Sequence, residues 1–427
     1  MHPAPFISGT RHREERMVTA AGVQWPWRDA LADLLRRSRL AQPDGLAAEV
    51  NAALAPLGLE ARIYLVDQEQ RTLRPVPRPG GPPPGGLAVD STVPGRVFTT
   101  VEPASLPATD TDPARLWLPL LDGTERLGVL EVTVRGGTPL DDPDLLAGCD
   151  LFTQLVGHLI ATKLPYGDAL LKVRRTRRMS EASELLWRLL PPLTFACDRA
   201  VVAAILEPCY EVGGDGFDYA ADGSTLYFAI FDTAGHHLRA GLGTAVVMSA
   251  IRAARRSGDG LYAMARAADR ALEEHLPELR FTTAVLAQLD LQTGRLRYVN
   301  AGHPRPLLIR GGKVVRSLDG GRRMPLGLDD PRTEVAHLTL ERGDRLLLFS
   351  DGITEARDRA GAAFGIERLT GLVERGTGDL PAPEALRRLC HAALSHYDGP
   401  PSDDATLVLV EWSDEAARAM LPSNAQT

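Results

Sequence analysis

Arg345-Leu346-Leu347-Leu348-Phe349-Ser350-Asp351-Gly352-Ile353-Thr354-Glu355 is the stretch from which the fold can be read. Leu346 to Phe349 are four apolar residues in a row, the pattern of a strand buried on both faces, and Asp351-Gly352 reads as a tight turn directly after it. A carboxylate is thereby set at the end of a rigid strand. Alone, Asp-Gly after a strand signals only a turn. Three further aspartates occupy comparable positions: Asp215 in Glu211-Val212-Gly213-Gly214-Asp215, Asp232 after the apolar run Leu226 to Phe231, and Asp403 just before Ala405 to Val410. Four carboxylates at strand ends are the donor set that a hard divalent cation needs.

The bulk composition narrows the class. A chain of 427 residues is too long for one ordinary core, so two or three domains are expected. Hydrophobic residues make up 44% and charged residues 24%, as in a globular protein. A net charge of −7 argues against nucleic acid as the main partner. No apolar run approaches the length of a membrane span, so no membrane partner is expected. Met1 to Arg16 is charged and has no apolar signal segment, which points to a cytoplasmic location. The four cysteines, Cys149, Cys197, Cys209 and Cys390, have no Cys-x-x-Cys spacing, so a zinc site or disulfide framework is not expected.

The expected fold class is α+β. Residues 1–24 read as a disordered tail. Helices are expected over Trp25 to Leu40 and Gly45 to Leu57, a strand over Ala61 to Val66, and a Pro/Gly-rich loop over Pro75 to Gly86. Leu116 to Leu121 and Leu127 to Val132 form a hairpin about Asp122-Gly123, and Asp144 to Lys163 a closing helix. This α/β domain, 25–163, resembles the GAF family of small sensory domains through Gly95-Arg96-Val97-Phe98 and Arg126-Leu127-Gly128-Val129-Leu130. Domains of that family bind small ligands or dimerise, so the resemblance implies a regulatory module. A homodimer through this domain and the following helix is expected.

Residues 164–195 read as a helical linker. Met179, Ala182, Leu185, Leu186 and Leu189 are spaced three and four apart, a basic run from Lys172 to Arg178 precedes them, and Pro191-Pro192 stops the helix. Two readings stay open: a solvated linker with an ordinary buried stripe, or a helix that pairs with its twin and passes a signal. From 196 to 413 strands dominate: Ala200 to Leu206, Leu226 to Phe231, Thr283 to Leu289, Arg295 to Val299, Pro306 to Ile309, Leu346 to Phe349 and Thr406 to Glu411. Helices fall between them at Leu238 to Arg256, Leu261 to His275, Ile366 to Arg375 and Pro383 to His396. That alternation predicts two sheets packed together and covered by helices, an α/β/β/α sandwich, with 414–427 as a tail.

Two hard cations such as Mn²⁺ or Mg²⁺ polarise a phosphate and turn a shared water into a nucleophile. Asp215, Asp232, Asp351 and Asp403 suffice for such a pair. Gly213-Gly214 lets the backbone bend before Asp215 and leaves room for a ligand. His236 is placed either to donate a proton and bind substrate or to pack the turn between strand and helix.

The C-terminal half resembles the type 2C metal-dependent protein serine/threonine phosphatases, in the branch of sporulation protein E and the stress-response regulator phosphatases. The matching motifs include Leu189-Leu190-Pro191, Val212-Gly213-Gly214-Asp215, Phe231-Asp232-Thr233-Ala234-Gly235-His236, Phe281-Thr282-Thr283-Ala284 and Asn300-Ala301-Gly302-His303-Pro304. They continue through Pro325-Leu326-Gly327, Ser350-Asp351-Gly352-Ile353-Thr354-Glu355, Phe364-Gly365 and Asp403-Asp404-Ala405-Thr406. The resemblance implies hydrolysis of phosphoserine or phosphothreonine by a metal-activated water, with no phosphoenzyme. The implied substrate is a phosphorylated regulatory protein such as an anti-sigma-factor antagonist. Carried over position by position, Asp215, Asp232, Asp351 and Asp403 match the family's metal ligands, the Thr233 carbonyl is a further ligand, Asp404 lies behind them, and Asn300 to His303 is structural. Three positions depart. Gly216 stands where an aromatic is usual, Phe231 replaces a glycine and threatens to crowd the site, and His237 replaces another glycine. The alternative is a phosphatase fold that has lost activity and serves as a scaffold.

Overall fold

The computed structural model describes residues 26–423 except 79–84, 136–137, 208–209, 212, 236, 280, 332–333, 377–379 and 398–402. The expected tail at 1–24, and most of the tip of the Pro/Gly-rich loop, lie outside the described residues.

The N-terminal unit opens with α1 (Pro26–Ser38) and α2 (Leu46–Leu54). Strands β1 (Leu59–Val66), β2 (Thr72–Pro75) and β3 (Leu87–Ala88) follow, then α3 (Val93–Thr100). Next come β4 (Ala104–Leu106), β5 (Ala114–Asp122), β6 (Glu125–Val134) and α4 (Pro143–Lys163). The strands form one antiparallel sheet in the order β3-β2-β1-β6-β5-β4. α4 is long and apolar enough in composition to cross a membrane, contrary to the expectation that no segment would be. Here its stripe Leu145, Cys149, Phe152, Val156 and Ile160 is buried with α1 and α2 against one sheet face. α3 covers part of the other face, closing a smaller cluster about Tyr64, Phe98 and Trp117.

The joint is two short helices, not the single one expected: α5 (Ala169–Arg174) and α6 (Glu181–Leu189). α5 buries Leu170 and Val173 in the N-terminal core. Ser180 caps α6, its hydroxyl accepting from the Ser183 N–H. α6 then buries Ala182 and Leu186, the latter against Leu206 of the next unit. Of the apolar stripe, Met179, Ala182 and Leu186 are thus buried within the chain, and Leu185 and Leu189 are half-buried.

The C-terminal unit contains β7 (Thr194–Cys197), β8 (Ala200–Glu207), β9 (Asp215–Asp222) and β10 (Thr225–Thr233), then α7 (His237–Arg256) and α8 (Leu261–His275). β11 (Thr282–Asp290), β12 (Arg295–Ala301), β13 (Leu307–Arg310) and β14 (Lys313–Ser317) follow. Then come β15 (Arg322–Arg323), β16 (Ala336–Thr339), β17 (Arg345–Phe349) and α9 (Asp351–Thr354). The unit ends with α10 (Gly365–Gly376), α11 (Ala382–Leu394), β18 (Ala405–Glu411) and α12 (Asp414–Arg418). One sheet runs β15-β12-β11-β10-β9 with β16 beside β12; the other runs β14-β13-β17-β18-β8-β7. Alternate residues of both sheets, such as Phe217, Phe228, Val202 and Val408, meet in one core between them. The outer face of the first sheet is covered by α7 and α8, that of the second by α9 to α12. The four layers are those expected. The stretch read as a C-terminal tail begins with α12, and its Ala417 and Met420 are buried in the outer core.

Candidate metal centre

Antiparallel pairing explains why four aspartates far apart in sequence share one rim. Asp215 opens β9, Asp232 is the last residue but one of β10, and the two are direct cross-strand partners. In the other sheet β17 ends beside the start of β18, Phe349 pairing with Leu407. Asp351 follows the one and Asp403 precedes the other. Asp351-Gly352 is not the free turn expected: Asp351 is the first residue of α9. Gly352 is required there because a Cβ would collide with the Asp404 carbonyl.

Asp404 joins the two sheets. Its Oδ2 accepts from the backbone N–H groups of Gly213 (2.7 Å), Gly214 (2.7 Å) and Asp215 (3.1 Å). Ser350 Oγ donates to the Asp404 carbonyl at 3.3 Å and accepts from the Thr406 N–H at 2.9 Å. Thr233 is buried, its hydroxyl held between those of Thr244 (2.7 Å) and Thr282 (2.9 Å). The Thr233 carbonyl runs so close to Gly214 that a side chain there would strike it, so this glycine serves backbone packing rather than ligand space.

The electrostatics of this rim are one-sided. Burial, then the Asp232 and Asp404 charges, raise the Asp215 carboxyl well above the carboxylate range. Asp232 is pushed up to about 7 by burial and by Asp351, Asp403 and Asp404. Asp351 is raised by burial, then by Asp403 and Glu355. Asp404 is raised by burial, against the pull of its three N–H donors. Among the described residues, none of the charges acting most strongly on these four groups belongs to Arg or Lys. Asp215 is 2% exposed, and among the described residues its Oδ2 has no hydrogen-bond partner. Asp403 is exposed and accepts from the Asp404 N–H at 2.9 Å. Among the described residues no three His, Cys, Asp or Glu side chains stand in a ready-made ligand set. The geometry therefore provides a shared acidic rim, not a closed cage. Hard oxygen donors, an orphaned buried carboxylate oxygen and mutual repulsion all fit a divalent cation.

The other expected positions resolve differently. His236 lies outside the described residues. Asn300 is structural as expected: its side chain accepts from the His303 N–H at 2.8 Å, closing the turn after β12. Phe231 does not crowd the rim; it is buried toward α7 and α8, directly across from Gly216. The bridging role of Asp404 was not legible beforehand, although the Asp403-Asp404 doublet marked the place.

Residues 222–413 match the family model of stage II sporulation protein E (SpoIIE). Asp232, Asp351 and Asp403 fall inside the match and Asp215 just before it. The chain is 25% identical over 213 residues to the phosphoserine phosphatase RsbU of Bacillus subtilis, covering 49% of this chain and 62% of that protein. It is 25% identical over 220 residues to the phosphoserine phosphatase RsbP of the same organism, covering 50% and 53%. It thus spans less than two thirds of either relative. The solved phosphatase domain and regulatory-domain fragment of Bacillus subtilis SpoIIE superposes with a TM-score of 0.43 at 22% identity, over 51% of this chain and 64% of that one. The C-terminal part of the chain is thus similar to the SpoIIE-type phosphatases.

Proposed function

We propose that the protein is a metal-dependent phosphatase that hydrolyses phosphoserine or phosphothreonine on a regulatory protein, of the anti-sigma-factor-antagonist type, in the cytoplasm. The observation that carries this reading is the convergence of carboxylates from both sheets on one rim, where no Arg or Lys among the described residues is one of the charges that act most strongly. Asp215, Asp232, Asp351, Asp403 and the Thr233 carbonyl are the groups that would hold two Mn²⁺ or Mg²⁺ ions. When bound, such ions supply charge stabilisation for a phosphoryl group and an activated water. Asp404 fixes the Gly213–Asp215 backbone and keeps the Asp215 carboxylate on the rim. The names of RsbU and RsbP support a phosphoserine substrate.

The N-terminal unit is read as a GAF-type regulatory domain; its six-stranded antiparallel sheet with helices on both faces supports this. A homodimer would then form through that unit and the linker helix, where Leu185 and Leu189 stay half-buried.

The purified protein should release phosphate from a phosphoserine peptide only with Mn²⁺ or Mg²⁺, and Asp351→Asn should reduce release to background. Turnover in a chelator, or full activity of the variant, would end this reading. An inactive scaffold would show no Mn²⁺ uptake by calorimetry.

A further inference from the structure

The N-terminal unit touches the phosphatase domain at a point that leads back to the acidic rim. α11 presents two stripes. Leu386, Leu389, Cys390 and Ala393 pack on the outer face of the sheet that carries β17 and β18. One helical turn apart on another stripe, Arg387 and His391 face the N-terminal unit. Arg387 is 1% exposed and donates from Nε and Nη2 to the two carboxylate oxygens of Glu384, at 2.8 and 3.0 Å. It also donates to Asp90 and, at 3.3 Å, to the Gln70 carbonyl. His391 Nε2 lies 3.0 Å from the Glu69 carbonyl. Glu69 and Gln70 form the turn between β1 and β2, where Gln70 holds a left-handed φ of +52°. The linker meets the same turn: the Gln68 N–H donates to the Arg174 carbonyl at 2.9 Å.

At its other end α11 runs into Tyr397, whose hydroxyl donates to the Gly352 carbonyl at 2.9 Å. α9 has a single turn, so this carbonyl has little helix beyond it to bond to, and the phenol supplies its donor. Gly352 follows Asp351 directly and is pressed against the Asp404 backbone. A shift of α11 along its axis would therefore reach the Asp351 carboxylate through one hydrogen bond.

We propose that Tyr397 is a positioning residue for Asp351, and that the β1–β2 turn of the N-terminal unit sets its position by holding α11 through Arg387 and His391. This rests on the metal-dependent reading above and adds a route of control to it. The test uses the full chain as wild type, Tyr397→Phe, Asp90→Asn and the double variant, titrated with Mn²⁺ by calorimetry. Hydrolysis of a phosphoserine peptide is measured against Mn²⁺ concentration in parallel. Tyr397→Phe should weaken Mn²⁺ binding by up to about tenfold, since the lost hydrogen bond supports the backbone next to Asp351 and not the carboxylate itself, with an unchanged melting temperature. Asp90→Asn should weaken it about threefold. It should add nothing once Tyr397 is Phe, because both act through one element. Should Tyr397→Phe melt early, Asp90→Asn carries the test alone, since the Asp90 side chain is 68% exposed. Wild-type titration curves in the single variants would overturn the proposal while leaving the phosphatase reading intact. Additive effects in the double variant would overturn the link between the two residues. A wild-type protein that takes up no Mn²⁺ would overturn both readings, and that failure would show before any variant is made.

Discussion

At the scale of single residues, two side chains carry more than their positions announce. Asp404 accepts three backbone N–H groups from the opposite sheet. Asp404→Ala would leave those buried donors unpaired, at roughly 1–3 kcal/mol each, so a loss of about 3 kcal/mol or more is expected in urea unfolding. Asp404→Asn keeps an acceptor and should lose far less; equal losses would show that the N–H contacts do not matter. His237 is the second case. It adopts φ +62°, a left-handed conformation that costs a side chain about 1–2 kcal/mol and glycine almost nothing. The glycine that the family resemblance expects there is thus a backbone requirement. His237→Gly should raise the melting temperature, with a gain of about 1 kcal/mol. A lower one would mean that the contacts of the imidazole outweigh the strain.

At the scale of elements, the two remaining departures turn out to be one. Gly216 and Phe231 are direct partners across β9 and β10, so an aromatic on either strand would occupy the same place in the sheet. A Cβ on Gly216 would already meet Thr244 Cγ2 at 2.9 Å. Gly216→Phe alone should cost about 1–3 kcal/mol by overpacking, and Phe231→Gly alone about 3–5 kcal/mol by leaving a cavity. The double exchange should cost clearly less than the sum, measured by chemical unfolding; strict additivity would refute the idea of a swap. The same pair shows what could be read beforehand. Strands such as β8, β17 and β18 are unbroken apolar runs and were legible to within a residue or two. β9 was not, because Asp215, Gly216, Asp218 and Asp222 disguise it. Asp218 is buried there only because Arg252 and Arg255 of α7 reach it at 2.7 and 2.9 Å, a pairing that no local pattern contains. The joint failed for a similar reason. Its heptad-like spacing is real, but Arg175 leaves the helix to bind Glu184 of α6 at 2.7 and 2.9 Å, and the break follows. The four rim aspartates were legible because each sits beside an apolar run. Their convergence needed the register between strands.

At the scale of the whole molecule, the two units meet through groups whose protons oppose one another. The hairpin between β5 and β6 caps the edge strand β7: Glu125 accepts from the Thr194 N–H at 2.6 Å and Thr124 from the Ala196 N–H at 2.8 Å. Burial pushes the Glu125 carboxyl up to about 7, partly offset by Arg174 and Arg126. Its contribution to stability is therefore complete below the unfolded value near 4.5 and is lost as pH rises through about 7. His391 works the other way. Burial, then Arg71 and Arg387, hold its pKa down to about 4, so its contribution is complete above 6.5 and is lost as pH falls toward 4. Between about pH 4.5 and 6.5 the two slopes have opposite signs and largely cancel. Glu125→Gln keeps the acceptor and removes one titration, so its stability relative to wild type should rise from pH 4.5 to 7. His391→Gln keeps a donor for the Glu69 carbonyl and removes the other, so its stability relative to wild type should be greatest at the acid end. Urea unfolding of the full chain at pH 5 and pH 7.5 reads both differences. If both variants shift in the same direction with pH, the balance at this interface does not exist.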